Sequence, residues 1–311
     1  MSDSAAFRVR VSPGVPEAAL RLLEGAGLAV ERGGPEEIAG VDAFLSLLTD
    51  RIDEQVMASG DRLRLVANMA VGTDNVDLAA AERLGIAVSN TPDVLTDATA
   101  DLAFALLLAA ARALPWADRY VRAGAFTGWT PKLGVGLDVT GRTLGIVGAG
   151  RIGRAVAERA QGFRMEILLH SRSGGTPLPE LLERSDFVSL HVPLSDETRH
   201  LIGAAELALM KPSAVLVNTA RGPIVDEAAL VRALRERTIA AAGLDVFEHE
   251  PALTPGLAAL PNVVFAPHLG SATHATRDRM AEIAARNVIA CATGAALPTA
   301  VVVGRKGKGA A

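Results

Sequence analysis

Apolar residues fall along the chain in two alternating patterns. Short, largely apolar stretches that read as strands stand at residues 7–11, 43–48, 63–67 and 86–89. They resume at 144–147, 167–170, 187–191, 214–218, 241–244 and 263–266. Between them apolar positions recur at helical spacing, as at 16–25, which a glycine stops, and at 76–84. Strand and helix in strict alternation predict parallel sheets with helices on both faces. Residues 96–113 are apolar nearly all round, so this helix is expected to be buried between two lobes. Residues 115–138 break the alternation, carry both tryptophans, Trp116 and Trp129, and read as an arm suited to a subunit contact. A last helix, 273–292, is expected to return the chain to the first lobe.

One stretch carries chemistry in its spacing. In TLGIVGAGRIGRAVAERAQGF, residues 143–163, a buried strand runs into Gly148, Gly150 and Gly153, with Arg151 and Ile152 between the last two. Ile152, Val156, Ala160 and Phe163 then follow at helical intervals. Strand, glycine turn and helix form a seat for a dinucleotide pyrophosphate. Gly148 permits the turn, Gly150 the approach of the phosphates, and Gly153 the packing of helix on strand. The predicted fold is therefore α/β, two Rossmann-like doubly wound parallel-sheet domains with a cleft between them. The domains are expected at 1–98 plus 288–311 and at 99–287.

The next strand bears on which dinucleotide binds. An NAD site ends that strand in a carboxylate that holds the ribose hydroxyls. Here Arg172 stands between Ser171 and Ser173 with no carboxylate, which favours a 2′-phosphate and so NADP(H), with NAD(H) second. The segment from Ser173 to Ser185 is too short for the helix and strand expected next. The second strand should then become the sheet edge, leaving the ligand crevice intact.

Ligands in such sheets bind beyond the carboxyl ends of the strands. Three of those ends carry Arg221, Glu250 and His268. A histidine beside a carboxylate can protonate the oxygen of a carbonyl that receives hydride, and an arginine can clamp a neighbouring carboxylate. The three together predict reduction of a 2-oxo acid. Among the other histidines, His191 reads as a wall of the adenosine pocket and His170 lies near the ribose. His249 is expected to face away from Glu250, and His200 and His274 have no evident partner.

Composition narrows the alternatives. The 311 residues suffice for two domains, and half are hydrophobic. A net charge of −4 gives no electrostatic reason for a nucleic-acid or membrane partner. The single cysteine, Cys291, excludes an internal disulfide and a cysteine-based zinc site, and no metal is predicted. No apolar leader opens the chain, and the longest apolar run, 102–111, is too short to span a bilayer, so a cytoplasmic protein is expected. Arg305, Lys306 and Lys308 read as a mobile basic tail.

Nearly the whole chain resembles the D-isomer-specific 2-hydroxyacid dehydrogenases, and within them the glyoxylate/hydroxypyruvate reductase branch. The matching motifs are LLTDRID at 47–53, AVGTDNVD at 70–77, NTPDVLTDATADLAFALLLA at 90–109, GAGRIG, NTARG, GLDVFEHEP and PHLGSAT, in that order. The resemblance implies reduction of glyoxylate to glycolate and of hydroxypyruvate to D-glycerate. It implies Arg221 as anchor of the substrate carboxylate and carbonyl, His268 as proton donor and Glu250 as its partner. It also implies a substrate-binding first domain, with the backbone N–H groups of Val71 and Gly72 receiving the carboxylate and Leu48 lining the pocket. For the cofactor it points to Thr99, Gly150, Arg151, Ile152, Ser171, Arg172, Ser173, Val192, Pro193, Thr198, Thr219, Ala220, Arg221, Asp245, His268 and Gly270. Members of the family are typically homodimers built through the cofactor domain, which would let Trp129 reach the partner's site. Two alternatives remain open at this stage. One is a sister dehydrogenase acting on another 2-oxo acid; the other is a nicotinamide-sensing protein of the corepressor kind.

Overall fold

Strand β1 (Arg8–Val11) leads into helix α1 (Glu17–Gly25), strand β2 (Ala29–Arg32) and strand β3 (Ala43–Ser46). There follow α2 (Glu54–Ser59), β4 (Leu65–Asn68), α3 (Leu78–Leu84) and β5 (Ala87–Ser89). This is a computed structural model that describes residues 6–304, and the basic tail predicted at Arg305, Lys306 and Lys308 lies outside the described residues. Asp53 and Asp77 cap α2 and α3, each accepting the N–H three residues on. Such caps satisfy an orphan helix donor and contribute about 1 kcal/mol each.

The second stretch opens with α4 (Thr96–Ala111) and α5 (Leu114–Arg122), the latter lying inside the segment expected to be an arm. Then come β6 (Thr143–Val147), α6 (Arg151–Gln161), β7 (Glu166–Ser171), β8 (Gly174–Gly175), α7 (Leu178–Arg184) and β9 (Phe187–Leu190). After these stand α8 (Ala204–Leu209), β10 (Val215–Asn218), α9 (Glu227–Arg235), β11 (Ala241–Leu244) and β12 (Val263–Phe265). The chain closes with α10 (His274–Thr293) and β13 (Ala300–Val302).

Two sheets result. The first runs β13-β5-β4-β3-β1-β2 and the second β12-β11-β10-β9-β6-β7-β8. Every pairing is parallel except at one edge of each sheet, where β13 meets β5 and β8 meets β7 in antiparallel fashion. Strands β3, β4, β9, β10 and β11 are buried along their whole length, which is why they read as continuous apolar runs.

The chain divides into two compact units, residues 96–271 and the remainder on either side. The sequence had suggested divisions at 99 and 288. The difference comes from α10, whose Met280, Ala281, Ala284, Ala285 and Val288 share a core with Val9, Val11, Leu45 and Leu65. One continuous helix with one buried face belongs to one core. In the second unit, α4 buries Ala100, Ala103, Phe104, Leu106 and Leu107 in a core with Ile146, Val156, Val215 and Val217. Among the described residues no single helix is long and apolar enough to cross a membrane.

Candidate active site

Each glycine of the turn after β6 has its own physical reason. Gly148 has a φ of 106°, and a Cβ there would run into the backbone of His191 and Val192. A Cβ on Gly153 would collide with the Gly148 carbonyl oxygen, so this glycine sets how closely α6 lies on β6. Gly150 has open space before it and begins α6, whose N-terminus no side chain caps. Arg151 and Ile152 stand in its first turn, where the positive end of the helix dipole suits an anion. Arg159 pins α6 to α4 through Asp101, 2.6 Å from its Nε.

At the far end, the chain after β7 makes a tight hairpin into β8, pairing Ser171 with Gly174 and His170 with Gly175. The two-residue β8 therefore forms the sheet edge, where β7 had been expected. Gly174 and Gly175 have φ of 128° and 104°, conformations that let the chain reverse in so little length. Ser171 Oγ lies 3.0 Å from Ser173 Oγ and donates to the Gly174 carbonyl, leaving Arg172 exposed at the tip. Beyond β9, Thr198 Oγ1 donates to the Pro193 carbonyl at 2.7 Å and accepts from the Ser195 N–H. The neighbouring Glu197 is held below the usual carboxylate range chiefly by the Ser195 hydroxyl, with the Arg172 charge contributing. Arg172 thus has a carboxylate as well as two hydroxyls in its surroundings.

The remaining site residues of this unit come from the ends of β10, β11 and β12. Buried Asn218 folds the loop after β10, donating to the Arg221 carbonyl and accepting from the Ala220 N–H. Thr219 Oγ1 is buried there with no hydrogen-bond partner among the described residues. A Cβ on Gly222 would strike the Phe247 carbonyl, so the loops carrying Arg221 and Glu250 touch backbone to backbone. Asp245, buried at the end of β11, folds the loop after β12. Its carboxylate accepts from Leu269 N (2.6 Å) and Gly270 N (2.9 Å), and its carbonyl accepts from His268 N (2.8 Å). Burial pushes the Asp245 carboxyl up from its ordinary value, against those N–H bonds. Thr99 reaches the same loop, donating to the Gly270 carbonyl at 3.1 Å.

His268, with φ of 56°, is held in a left-handed conformation by these contacts. Its Nδ1 lies 3.0 Å from Glu250 Oε2, while Glu250 Oε1 accepts from Phe247 N at 3.0 Å. With Nδ1 engaged, Nε2 is the ring nitrogen left to exchange a proton. Burial opposes ionisation of Glu250, but the His268 hydrogen bond, the Phe247 N–H and nearby positive charge together hold it below the usual carboxylate range.

Behind Glu250 stands a cluster that sequence reasoning missed. Buried Glu227 accepts from Glu248 N at 2.9 Å and from Thr254 Oγ1 at 2.6 Å. Glu248 accepts from Glu227 N, and its other oxygen lies 2.6 Å from His200 Nε2. His200, which had no evident partner, is 48 residues distant from Glu248, so no local spacing signals the pair. His191 sits 2.8 Å from Ser189 Oγ, and burial pushes its imidazole down to about 4. It is neutral at physiological pH.

Leu48, Val71 and Gly72 belong to the other unit, Leu48 just past β3 and the other two in the turn after β4. Trp129 stands 80% exposed on the arm, and no described hydrogen bond or ring contact joins it to the other site residues. Among the described residues no group of three His, Cys, Asp or Glu is placed to hold a metal ion.

Three comparisons bear on this arrangement. The pattern of the family described as D-isomer specific 2-hydroxyacid dehydrogenase, NAD binding domain, matches residues 104–270. The glyoxylate reductase of Pyrococcus horikoshii is 48% identical, the match covering 94% of this chain and 95% of that protein. The crystal structure of the TT0316 protein from Thermus thermophilus superimposes with a TM-score of 0.89 at 46% identity, over 95% of this chain and all of that one. An NADPH-dependent glyoxylate/hydroxypyruvate reductase from Sinorhizobium meliloti, in complex with NADP and malonate, gives 0.87 at 34% identity, over 96% and 99%.

Proposed function

Since the chain belongs to the D-isomer-specific 2-hydroxyacid dehydrogenase family, we propose that it reduces small 2-oxo acids, glyoxylate to glycolate and hydroxypyruvate to D-glycerate, at the expense of NADPH or NADH. The observation that carries this reading is the pairing of His268 with Glu250 on two strand ends of a nucleotide-binding sheet. A bound nicotinamide supplies the hydride. The protein supplies the rest.

The residues fit a dinucleotide. A glycine turn with open space at Gly150 meets an uncapped helix N-terminus, and the buried Thr219 hydroxyl lacks a partner. In the proposed reaction Arg221 holds the substrate carboxylate and polarises the carbonyl. His268 Nε2 delivers a proton to the carbonyl oxygen as hydride arrives at its carbon, and Glu250 fixes the ring and stabilises its protonated form. Val71 and Gly72 receive the carboxylate through their N–H groups, and Leu48 bounds the pocket. Arg172 with Ser171 and Ser173 favours NADPH. Trp129 and its arm serve a homodimer: Leu114, Val121, Phe126, Trp129 and Val135 are all exposed, an apolar concentration that a second copy would cover.

The test is steady-state reduction of glyoxylate, hydroxypyruvate and pyruvate, each with NADPH and with NADH, followed by nicotinamide absorbance. Turnover of the first two well above pyruvate supports the substrate class, and a lower KM for NADPH supports the cofactor preference. Preference for pyruvate or a bulkier 2-oxo acid would make the protein a sister dehydrogenase. No turnover with cofactor still bound would overturn the reductase reading.

A further inference from the structure

Three successive carbonyls in the turn after β4 are each held by a specific donor. Ala70 O accepts from Thr91 N at 2.8 Å, Val71 O from Asn90 Nδ2 at 2.9 Å, and Gly72 O from Asn68 Nδ2 at 3.0 Å. In a planar trans peptide the N–H points opposite to the carbonyl of the same unit. The first two carbonyls both face the Asn90–Thr91 segment. The N–H groups that share their peptide planes, those of Val71 and Gly72, are therefore both turned away from it. Neither is hydrogen-bonded among the described residues. Two adjacent N–H groups turned to the same side can receive a carboxylate.

The segment doing the holding is itself held. Thr299 Oγ1 donates to the Asn90 carbonyl at 2.6 Å, and Asn90 N donates back to the Thr299 carbonyl at 3.3 Å. Fully buried Asn287 on α10 grips Thr299 in turn. Its Nδ2 lies 2.8 Å from the hydroxyl, and its Oδ1 accepts from Thr299 N at 3.2 Å. On the other side, Asn75 Nδ2 donates to the Leu47 and Asp50 carbonyls and meets Asn68, tying the loop that bears Leu48 to the same turn.

We infer that Asn90 is a positioning residue for substrate recognition: it orients the Val71–Gly72 peptide so that two backbone N–H groups seat the carboxylate of a 2-oxo acid, with Thr299 and Asn287 fixing Asn90. This rests on the proposed reduction of 2-oxo acids. It assigns the strength of the anion seat to an amide that does not touch the substrate. It also gives the segment just before β13 a part in recognition.

Asn90→Ala and Thr299→Val test it, the latter removing a hydroxyl while keeping the side chain's volume. With cofactor saturating, Asn90→Ala should raise both the KM for glyoxylate and the inhibition constant of oxalate, a dianion that cannot accept hydride, by about tenfold. kcat should change by less than about threefold, and the cofactor dissociation constant should stay put, which a general loss of structure would not allow. Thr299→Val should move the same two constants in the same direction by less, and it decides alone if Asn90→Ala does not fold. Unchanged KM and oxalate inhibition in the folded variants overturn the inference while leaving the reductase reading intact. A wild-type protein that neither reduces glyoxylate nor binds oxalate overturns the reductase reading, and the anion seat falls with it.

Discussion

His268 Nδ1 and Glu250 Oε2 meet at 3.0 Å although their residues come from loops after different strands of the sheet. The contact is built from both sides. Asp245 shapes the backbone around His268, and the Phe247 N–H holds the second oxygen of Glu250. Glu250 also sits partly out of water, where an unpaired carboxylate would be costly. Its depressed pKa sets the sign of the pH dependence. The Glu250 carboxylate is fully ionised above the ordinary carboxylate range, and its contribution is lost as pH falls through the lowered folded value. Glu250→Gln should therefore cut kcat by about a hundredfold and remove the acid-side fall in activity that follows protonation of Glu250, with cofactor affinity unchanged. Profiles of kcat against pH for both proteins check this; superimposable profiles would remove Glu250 from the mechanism.

Arg172 stands exposed between two serines, with Glu197 among its electrostatic neighbours. A 2′-phosphate would have to compete with that carboxylate, so the proposed preference for NADPH rests on the arginine. Arg172→Ala is expected to raise the KM for NADPH about tenfold or more and to leave that for NADH nearly unchanged. Titration of cofactor fluorescence separates binding from turnover. Equal effects on both cofactors would make Arg172 an ordinary surface residue.

Gly150 and Gly153 answer to different demands, and alanine distinguishes them. At Gly150 an added Cβ meets nothing within 4 Å and the φ of −76° suits any residue. Gly150→Ala should fold with an almost unaltered Tm yet bind NADPH and NADH poorly, because the methyl occupies the phosphate approach. At Gly153 the methyl meets the Gly148 carbonyl, so Gly153→Ala should lower Tm by several degrees even without cofactor. Thermal melts with and without NADPH give both answers.

Much of this was readable in the chain, for identifiable reasons. The strands leading into the turn at Gly148, Gly150 and Gly153 and into the loops of Arg221 and Glu250 announce themselves because burial on both faces forces apolar runs, whereas β12, before His268, is only partly buried. Strand β2 escaped notice because it is the sheet edge and mostly exposed, so AVER carries no such run. The hairpin at Gly174–Gly175 has too few residues for any period. His200 and Glu248 are joined only by the fold, as are Asn90 and Thr299, 209 residues apart. Local spacing reports which face is buried; it carries no record of partners brought together from distant loops.

Asp186 offers a check on stability apart from catalysis. It accepts from Thr143 N at 3.0 Å, where β6 begins, and from Lys211 Nζ at 2.9 Å. Burial works against its ionisation, but the Thr143 N–H and Lys211 outweigh it and lower the carboxyl's pKa. A lowered folded value means stabilisation complete above the unfolded value and lost as pH falls through the folded one. Asp186→Asn should cost about 1 kcal/mol at neutral pH, kept small by solvent screening, and nothing in strong acid. Urea melts at both pH values decide; a deficit that persists in acid would point to lost packing instead.

The first unit is made from two separated stretches of chain, while residues 96–271 form the second without interruption. On the ribosome this imposes an order. The first 95 residues emerge with β5 unpaired on one side and with no α10 to cover the faces of β3 and β4. They wait, incompletely packed, through the synthesis of the whole intervening unit. That unit has every strand of its own sheet and can fold as it appears. The nascent chain thus finishes its nucleotide-binding half first, and the half bearing Val71 and Gly72 last.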